Sequence, residues 1–212
     1  MGKRGLYRHL LPAVFSYRQR RKIGLLGGSF NPAHEGHIAL SCHAKRLGKF
    51  DEIWWLVSPQ NPLKSASDMA DYDKRLAYSR ALVQPYPWMR VLDLERVTKT
   101  QFSYDIIAIL LSRAPLAQFT WLMGSDNLVQ FPKWYRARDM ARKIPFMVMR
   151  RGTSYYPSLG AKGRHYFRNH SPQHLPKHRR KKGRQRPPHL TIGHHFQNNA
   201  SATALRESGF WH

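Results

Sequence analysis

The stretch from Ile23 to Leu40, IGLLGGSFNPAHEGHIAL, constrains the fold of this chain more than any other. It begins with apolar residues, passes two glycines, reaches the turn-forming pair Asn31-Pro32 and then enters an apolar helical pattern. This order of signals predicts a strand, a tight loop and the start of a helix. A strand that leads directly into a helix is a building unit of α/β folds.

The predicted loop has the properties of a phosphate-binding site. At Gly27 and Gly28 no Cβ keeps a ligand away from the backbone N–H groups. The first N–H groups of a helix have no partner within the helix, and the helix dipole adds a partial positive charge that attracts phosphate. His34 and His37 place two imidazole donors at the same point. We therefore predict a nucleotide-phosphate site.

Two other interpretations of the histidine pair stay open at this point. The histidines can be ordinary surface residues of a strand–turn–helix unit. The three-residue spacing also permits a zinc site, although no cysteine or third ligand follows nearby. We predict no metal-ligating residues.

Predicted strands and helices alternate through the middle of the chain. The predicted strands are 52–57, 89–94, 119–123 and 145–149, and the predicted helices are 38–47, 72–83 and 103–111. We expect Gly48 to end the first helix, and Ser103 or Asp105 to cap the third. This alternation predicts an α/β fold with a doubly wound parallel sheet.

Polar residues follow the second predicted strand. In open α/β sheets, ligands bind at the carboxyl ends of the strands. Asn61 and Lys64 are therefore candidate ligand-binding residues. Lys64 can neutralise a phosphate, and the alternative is that it is an ordinary solvated lysine.

The charge of the chain is concentrated outside its central part. A net charge of +24 is typical of nucleic-acid-binding proteins, yet residues 23–139 hold 14 Lys and Arg against 11 Asp and Glu. Residues 1–22 hold seven basic residues and no acid, and residues 140–212 hold 15 basic residues and one acid. We therefore predict no specific nucleic-acid partner.

Two basic segments flank or interrupt the predicted domain. We predict that residues 1–22 are a basic N-terminal extension, with a mitochondrial transit peptide as the alternative, and that residues 23–212 form a single domain. Residues 160–190 hold ten Lys and Arg, five His and no acid. We predict that they form a basic, mobile or loosely packed insertion, either a solvated loop or an RNA-binding arm. The strand at 145–149 is then the last clear one.

A single cysteine, Cys42, excludes a disulfide scaffold and favours a reducing compartment. No apolar run is long enough to span a bilayer. We expect a cytoplasmic protein without a membrane partner, and the sequence leaves the oligomeric state open.

A second run with phosphate chemistry lies near the C-terminus. The hydroxyl groups of Ser201 and Thr203 can cap a helix or donate to oxyanions, and Arg206 can bind phosphate through two N–H groups. Taken alone, this run is also a common helix-capping pattern.

Both runs resemble motifs of one superfamily. Residues 28–37, GSFNPAHEGH, resemble the G-x-F-x-P-x-H-x-G-H signature of the nucleotidyltransferases, and residues 201–206 resemble their Ser-x-Thr-x-x-Arg element, which contacts the triphosphate of ATP. Class I aminoacyl-tRNA synthetases share a His-x-Gly-His run, but their Lys-Met-Ser-Lys-Ser motif does not occur in this sequence. The resemblance implies a Rossmann-like nucleotidyltransferase fold and nucleotidyl transfer to a phosphate acceptor.

The middle of the chain resembles the nicotinate-nucleotide adenylyltransferase family. The stretches that carry this resemblance are 54–64 (WWLVSPQNPLK), 102–105 (FSYD), 121–128 (WLMGSDNL) and 131–134 (FPKW). It implies adenylyl transfer from ATP to nicotinate mononucleotide, giving nicotinate adenine dinucleotide and pyrophosphate in NAD biosynthesis. The implied partners are these two substrates, with Mg²⁺ carried by ATP.

The resemblance also implies the roles of the site residues. His34 and His37 are the expected catalytic residues. The expected ATP-binding residues are Gly28, Ser29, Phe30, His34, His37, Gly124, Asp126, Ser201, Thr203 and Arg206. The expected acceptor-binding residues are Asn61, Lys64, Ser103 and Trp134, with Ser103 near the nicotinate carboxylate and Trp134 stacked on the pyridine ring.

Two rival functions remain at the level of sequence. The first is an adenylyl- or cytidylyltransferase with another acceptor, such as nicotinamide mononucleotide or phosphopantetheine. The second, from a different class, is a non-catalytic RNA-binding protein that uses its basic segments.

Overall fold

The computed structural model describes residues 20–59, 69–151, 165–167, 169–172, 187–196, 205, 206 and 209. The strands are β1 (Lys22–Gly28), β2 (Glu52–Val57), β3 (Met89–Leu92), β4 (Gln118–Gly124), β5 (Phe146–Arg151), β6 (Asn169–Pro172) and β7 (His189–Phe196). The helices are α1 (Glu35–Gly48), α2 (Tyr72–Val83), α3 (Leu94–Thr98), α4 (Ser103–Arg113), α5 (Ser125–Gln130) and α6 (Ala137–Lys143). A 3₁₀ turn at Phe131–Lys133 follows α5.

The seven strands form one sheet in the order β3-β2-β1-β4-β5-β7-β6, and each neighbouring pair is parallel. Leu25 of β1 lies opposite Trp54 of β2 on one side and Trp121 of β4 on the other. The strand order therefore reverses between β1 and β4. Ligands of open α/β sheets bind at such a reversal, outside the carboxyl ends of the strands. The predicted doubly wound parallel sheet is confirmed.

Apolar side chains cover both faces of the sheet. All six residues of β2 are buried, as its continuous apolar run predicts. Because successive strand residues point to opposite faces, Trp54 packs in one core cluster with Trp121 and Phe131. Trp55 packs in the other cluster, which includes Phe30 of the loop after β1. This second cluster connects the loop to the core.

The predicted bounds of α2 are confirmed, whereas those of β3 differ. The sequence predicted a strand to residue 94, but β3 ends at Leu92. Leu94 instead begins α3, and its side chain is buried. The apolar side chain of Leu94 therefore belongs to a helix that packs on the sheet and not to the strand.

Gly48 ends α1 as predicted, but the predicted cap residues are not the caps of α1 and α4. Gly48 is the last residue of α1, and the left-handed cap conformation is taken by Lys49, with a φ of 51°. Ser103 is the first residue of α4, and no side chain caps that helix at Phe102. Asp105 instead accepts a hydrogen bond from the hydroxyl of Thr100, at 2.9 Å.

Two strands lie where the sequence predicted none, so the prediction that 145–149 is the last strand was wrong. β7 pairs with β5, with Leu190 opposite Phe146, and β6 lies at the edge of the sheet beside β7. Leu190 and Thr191 are fully buried. The sequences NHSP and HLTIGHHF have no continuous apolar run, which is why the pattern of apolar residues missed them.

Part of the basic segment 160–190 thus belongs to the sheet, and Phe167 is buried in the core. Residues 160–164, 168 and 173–186 of that segment and residues 1–19 of the predicted extension lie outside the described residues. The division of the chain into an extension and one domain stays a prediction. Among the helices described, none has the length and apolar character needed to cross a membrane.

Candidate active site

The loop between β1 and α1 is anchored by an aromatic side chain. Phe30 is 2% exposed, and its ring stacks on that of Trp55 with centroids 4.8 Å apart. Its φ of 46° lies in the left-handed region, which costs a non-glycine residue about 1–2 kcal/mol. Burial of the ring contributes about 1.5–3 kcal/mol and offsets this cost. The loop therefore has a fixed conformation at the carboxyl end of β1.

The two histidines form a reciprocal cap at the start of α1. The Nδ1 atom of His34 accepts a hydrogen bond from the Gly36 N–H at 3.1 Å. The Nδ1 atom of His37 accepts one from the N–H of His34 at 3.2 Å. This is the arrangement of a capping box, in which residues three apart each satisfy a backbone N–H. The spacing that suggested a phosphate site therefore also has a structural function.

The cap sets the chemical state of both imidazoles. In a neutral imidazole one nitrogen donates and the other accepts, so an accepting Nδ1 leaves the proton on Nε2. Both rings are therefore Nε2–H donors. Their centroids lie 4.0 Å apart, and His34 is 5% exposed. Two N–H donors are thus held together at the positive end of a helix, where they can bind phosphate oxygens.

The second sequence motif meets the first in space. The Nη1 atom of Arg206 donates to the carbonyl oxygen of Asn31 at 2.6 Å, across 175 positions of sequence. Asn31 is buried, and its Oδ1 atom accepts a hydrogen bond from the Ala70 N–H at 3.1 Å. The guanidinium group of Arg206 therefore adds positive charge at the histidine loop. Ser201 and Thr203 lie outside the described residues.

Arg75 is a site residue that the sequence interpretation missed. It is 1% exposed, and its guanidinium group donates to the backbone carbonyl groups of Ser29, Ser58, Pro59 and Ala70. Burial lowers the pKa of Arg75 from its ordinary value, but an arginine keeps its charge near neutral pH. Arg75 thus connects the exits of β1 and β2 to the start of α2. Its burial comes from the tertiary packing of α2, so the sequence gives no local signal for it.

A buried carboxylate supports the exit of β2. Glu95 of α3 is 5% exposed, and its Oε2 atom accepts a hydrogen bond from the Ser58 hydroxyl at 2.6 Å. Burial raises the pKa of Glu95 to about 7, and the hydrogen bond from Ser58 opposes that rise. The N–H of Ser58 donates to the carbonyl oxygen of Gly28 at 3.0 Å. Sequence patterns gave no sign that this glutamate is buried.

Comparison with known proteins shows the family. Residues 25–208 match the family model described as cytidylyltransferase-like. A protein of Erythrobacter litoralis named probable nicotinate-nucleotide adenylyltransferase is 37% identical over 187 residues, which cover 88% of this chain and 84% of the relative. The chain belongs to the nicotinate-nucleotide adenylyltransferase family. A protein of the same name from Parvibaculum lavamentivorans is 49% identical over 127 residues, 60% of this chain and 63% of that relative.

Solved structures support the fold of this family member. The Plasmodium falciparum nicotinic acid mononucleotide adenylyltransferase complexed with NaAD superposes with a TM-score of 0.66, covering 89% of this chain and 83% of that one. At 16% sequence identity, this similarity concerns the fold alone. The Rossmann-like nucleotidyltransferase fold implied by the sequence is thus confirmed.

A carboxylate lies at the carboxyl end of β4, the other side of the strand reversal. Gly124 ends β4, and the exposed Asp126 lies in the first turn of α5. A Cβ atom built on Gly124 would overlap the Oδ1 atom of Asp126. The absence of a side chain at Gly124 therefore lets the Asp126 carboxylate fold back over the end of the strand.

Replacing Gly124 with alanine is expected to displace this carboxylate. Because Asp126 is exposed and can move, we expect little change in stability. If Asp126 binds ATP, as the resemblance implies, the KM for ATP should rise by about tenfold, the loss of one hydrogen bond to a charged group. Steady-state kinetics at varied ATP concentration measures this KM. Asp126→Ala should give the same increase, and the double variant no further one. A normal KM in Gly124→Ala would contradict the role of this contact.

The acceptor residues predicted from the resemblance are brought together in part. Trp134 is half-buried and packs edge-on against Trp121 and Phe131, with centroids 6.0 and 5.6 Å apart. Its neighbour Tyr135 stacks on Phe102 at 4.3 Å. Phe102 directly precedes Ser103, so this contact joins the segments of Ser103 and Trp134. Asn61 and Lys64 lie outside the described residues.

Proposed function

We propose that this chain transfers the adenylyl group of ATP to nicotinate mononucleotide, forming nicotinate adenine dinucleotide and pyrophosphate in NAD biosynthesis. The proposal rests on one observation: Arg206 contacts Asn31 in the loop that leads to the His34–His37 cap, at the point where the strand order of the sheet reverses. The names of the relatives support the choice of acceptor. A cytoplasmic location, suggested by the single cysteine, stays a prediction.

The proposed reaction is an in-line attack by the acceptor phosphate on the α-phosphorus of ATP. The new P–O bond forms as the bond to the β-phosphate oxygen breaks, and pyrophosphate leaves. Such a transfer depends on positioning and on charge stabilisation rather than on a covalent intermediate. In this proposal the Nε2–H groups of His34 and His37 donate to the phosphate oxygens on which charge develops. Ser201, Thr203 and Arg206 hold the β- and γ-phosphates.

Mg²⁺ is proposed as a companion of ATP. Among the described residues no group of three His, Cys, Asp or Glu side chains is arranged to hold a metal ion. Mg²⁺ commonly keeps several waters and binds through substrate phosphates, so we propose that substrate and water hold it here. When bound, the ion would neutralise charge on the phosphates.

The acceptor side of the proposal rests on Ser103 and Trp134, together with Asn61 and Lys64. Trp134 lies beside Trp121 in an aromatic cluster, where a flat electron-poor ring can stack. A panel of acceptors tests this assignment. At a fixed ATP concentration, we expect the kcat/KM of pyrophosphate release to be highest with nicotinate mononucleotide as the acceptor. The amide mononucleotide and phosphopantetheine should be poorer by at least about tenfold in kcat/KM.

Controls sharpen this assay. A His37→Ala variant measured in parallel shows whether release depends on the site. A higher kcat/KM with nicotinamide mononucleotide or phosphopantetheine would overturn the assignment of the acceptor. RNA binding that weakens with salt, with no pyrophosphate released from any acceptor, would overturn the assignment of an enzyme.

A further inference from the structure

Two segments that are distant in sequence meet through aromatic side chains. The ring of Tyr135 stacks on that of Phe102, with centroids 4.3 Å apart and an angle of 28° between the ring planes. The same ring meets Tyr104 edge-on, with centroids 6.2 Å apart. Phe102 and Tyr104 are the two neighbours of Ser103, and Tyr135 follows Trp134 directly. These contacts therefore hold the start of α4 against the residues that follow the 3₁₀ turn.

Arg136 adds a second connection between the same segments. Its guanidinium group lies over the ring of Tyr104, 4.3 Å from the centroid, where the negative face of the ring attracts a cation. Its Nη2 atom pairs with the Oδ2 atom of Asp139 at 2.9 Å. The backbone of Arg136 has a φ of 51°, in the left-handed region, which a residue other than glycine keeps only where its surroundings stabilise it. We call Phe102, Tyr104, Tyr135 and Arg136 the aromatic clasp.

The aromatic clasp lies outside the core. Tyr135 is 49% exposed, and Arg136 is exposed as well. The two segments are already joined to the core by other side chains, since Ile106 of α4 and Phe131 of the 3₁₀ turn are fully buried. Replacing an exposed side chain usually changes stability little. The aromatic clasp therefore fixes the relative position of two segments more than it stabilises the fold.

We infer that Tyr135 and Arg136 are positioning residues for the acceptor. The inference rests on the proposed function, in which Ser103 lies near the nicotinate carboxylate and Trp134 stacks on the pyridine ring. The carboxylate and the ring belong to one rigid group, so Ser103 and Trp134 must keep a constant separation to bind both. The aromatic clasp sets this separation through the neighbours of the two residues. Tyr135 and Arg136 both lie outside the stretches that carry the family resemblance.

Replacing Tyr135 with alanine removes the ring that joins the two segments. We expect the KM for nicotinate mononucleotide to rise by about three- to tenfold, the effect of losing one aromatic pair, and the KM for ATP to change by less than about twofold. Tyr135→Phe keeps the ring and should keep both KM values within about twofold of wild type. Phe102→Leu should reproduce the effect of Tyr135→Ala, and the double variant should add little, because both changes remove the same contact. Steady-state kinetics with each substrate varied in turn measures these values.

Arg136→Gly separates positioning from support of the backbone. Glycine adopts a positive φ without strain, so a residue needed only for the turn would tolerate this change. Loss of the Arg136 side chain should nevertheless raise the acceptor KM by about two- to fivefold, while the unfolding temperature stays near that of wild type. Tyr86→Ala is the matched control. The ring of Tyr86 meets Trp88 edge-on, with centroids 5.7 Å apart, where the chain enters β3 at the opposite end of the sheet, and neither KM should change.

The results distinguish this inference from the proposed function. If wild type releases no pyrophosphate with nicotinate mononucleotide, the proposed function fails and the inference falls with it. If wild type is active but either Tyr135→Ala or Arg136→Gly keeps its acceptor KM, or raises the KM for ATP as much as that for the acceptor, the role of the aromatic clasp is overturned. A Tyr135→Phe variant as impaired as Tyr135→Ala would also overturn it, because the hydroxyl and not the ring would then act.

Discussion

Replacing His37 with alanine is expected to lower kcat by about 10²–10³-fold, the usual effect of removing one preorganised donor to a developing oxyanion. In the structure the Nδ1 atom of His37 caps the N–H of His34, and in the proposed mechanism its Nε2–H donates to the phosphate. Loss of the cap should cost about 1 kcal/mol of stability. Pyrophosphate release under saturating substrates measures the first effect, and thermal unfolding the second.

His37→Asn separates these tasks. An asparagine amide oxygen lies near the position of Nδ1 and can keep the cap, but no group replaces the Nε2–H donor. We expect this variant to unfold at nearly the wild-type temperature and to be as slow as the alanine variant. Near-normal turnover in His37→Asn, with a slow alanine variant, would show that His37 acts only as a cap and would remove it from the mechanism.

The sequence predicted the fold where local pattern decides structure. The six buried residues of β2 form one apolar run, and α2 begins after the capping residue Asp71, so both elements were predicted with correct bounds. β7 was missed because its place between β5 and β6 depends on pairing with these strands, contacts that are distant in sequence. Its three histidines also interrupt the pattern of apolar residues, so Leu190 and Ile192 do not indicate a strand.

The site residues also fall into those that the local sequence indicated and those that it did not. The histidine pair could be found from its local spacing, although the loop that carries it is also fixed by the packing of Phe30 on Trp55. Arg75 and Glu95 were missed because a charged residue in a helix is ordinarily solvated, and only tertiary packing makes either of them buried. The contact of Arg206 with Asn31 could be expected only from the family resemblance, since nothing in 175 positions of intervening sequence indicates it.

Arg75→Met should lower the free energy of unfolding by about 3 kcal/mol or more, because each buried carbonyl left without a donor costs about 1–3 kcal/mol. Methionine fills a similar volume, so the loss comes from polar groups rather than from a cavity. Four carbonyl groups would lose their donor, including those of Ser29 and Ser58 at the exits of β1 and β2. Denaturant unfolding measures this change.

Arg80, on the same helix and exposed, provides the matched control: Arg80→Met should change stability by less than about 0.5 kcal/mol. Arg75→Lys keeps the positive charge but lacks the planar group that reaches several carbonyls at once. Its free energy of unfolding should therefore fall nearly as far as that of Arg75→Met. Below its unfolding transition, Arg75→Met should also show raised KM values for both substrates, because the exits of β1 and β2 are no longer held together. Wild-type stability in Arg75→Met would mean that backbone packing alone fixes the two strand exits, and the carbonyl bonds would then have no part in shaping the site.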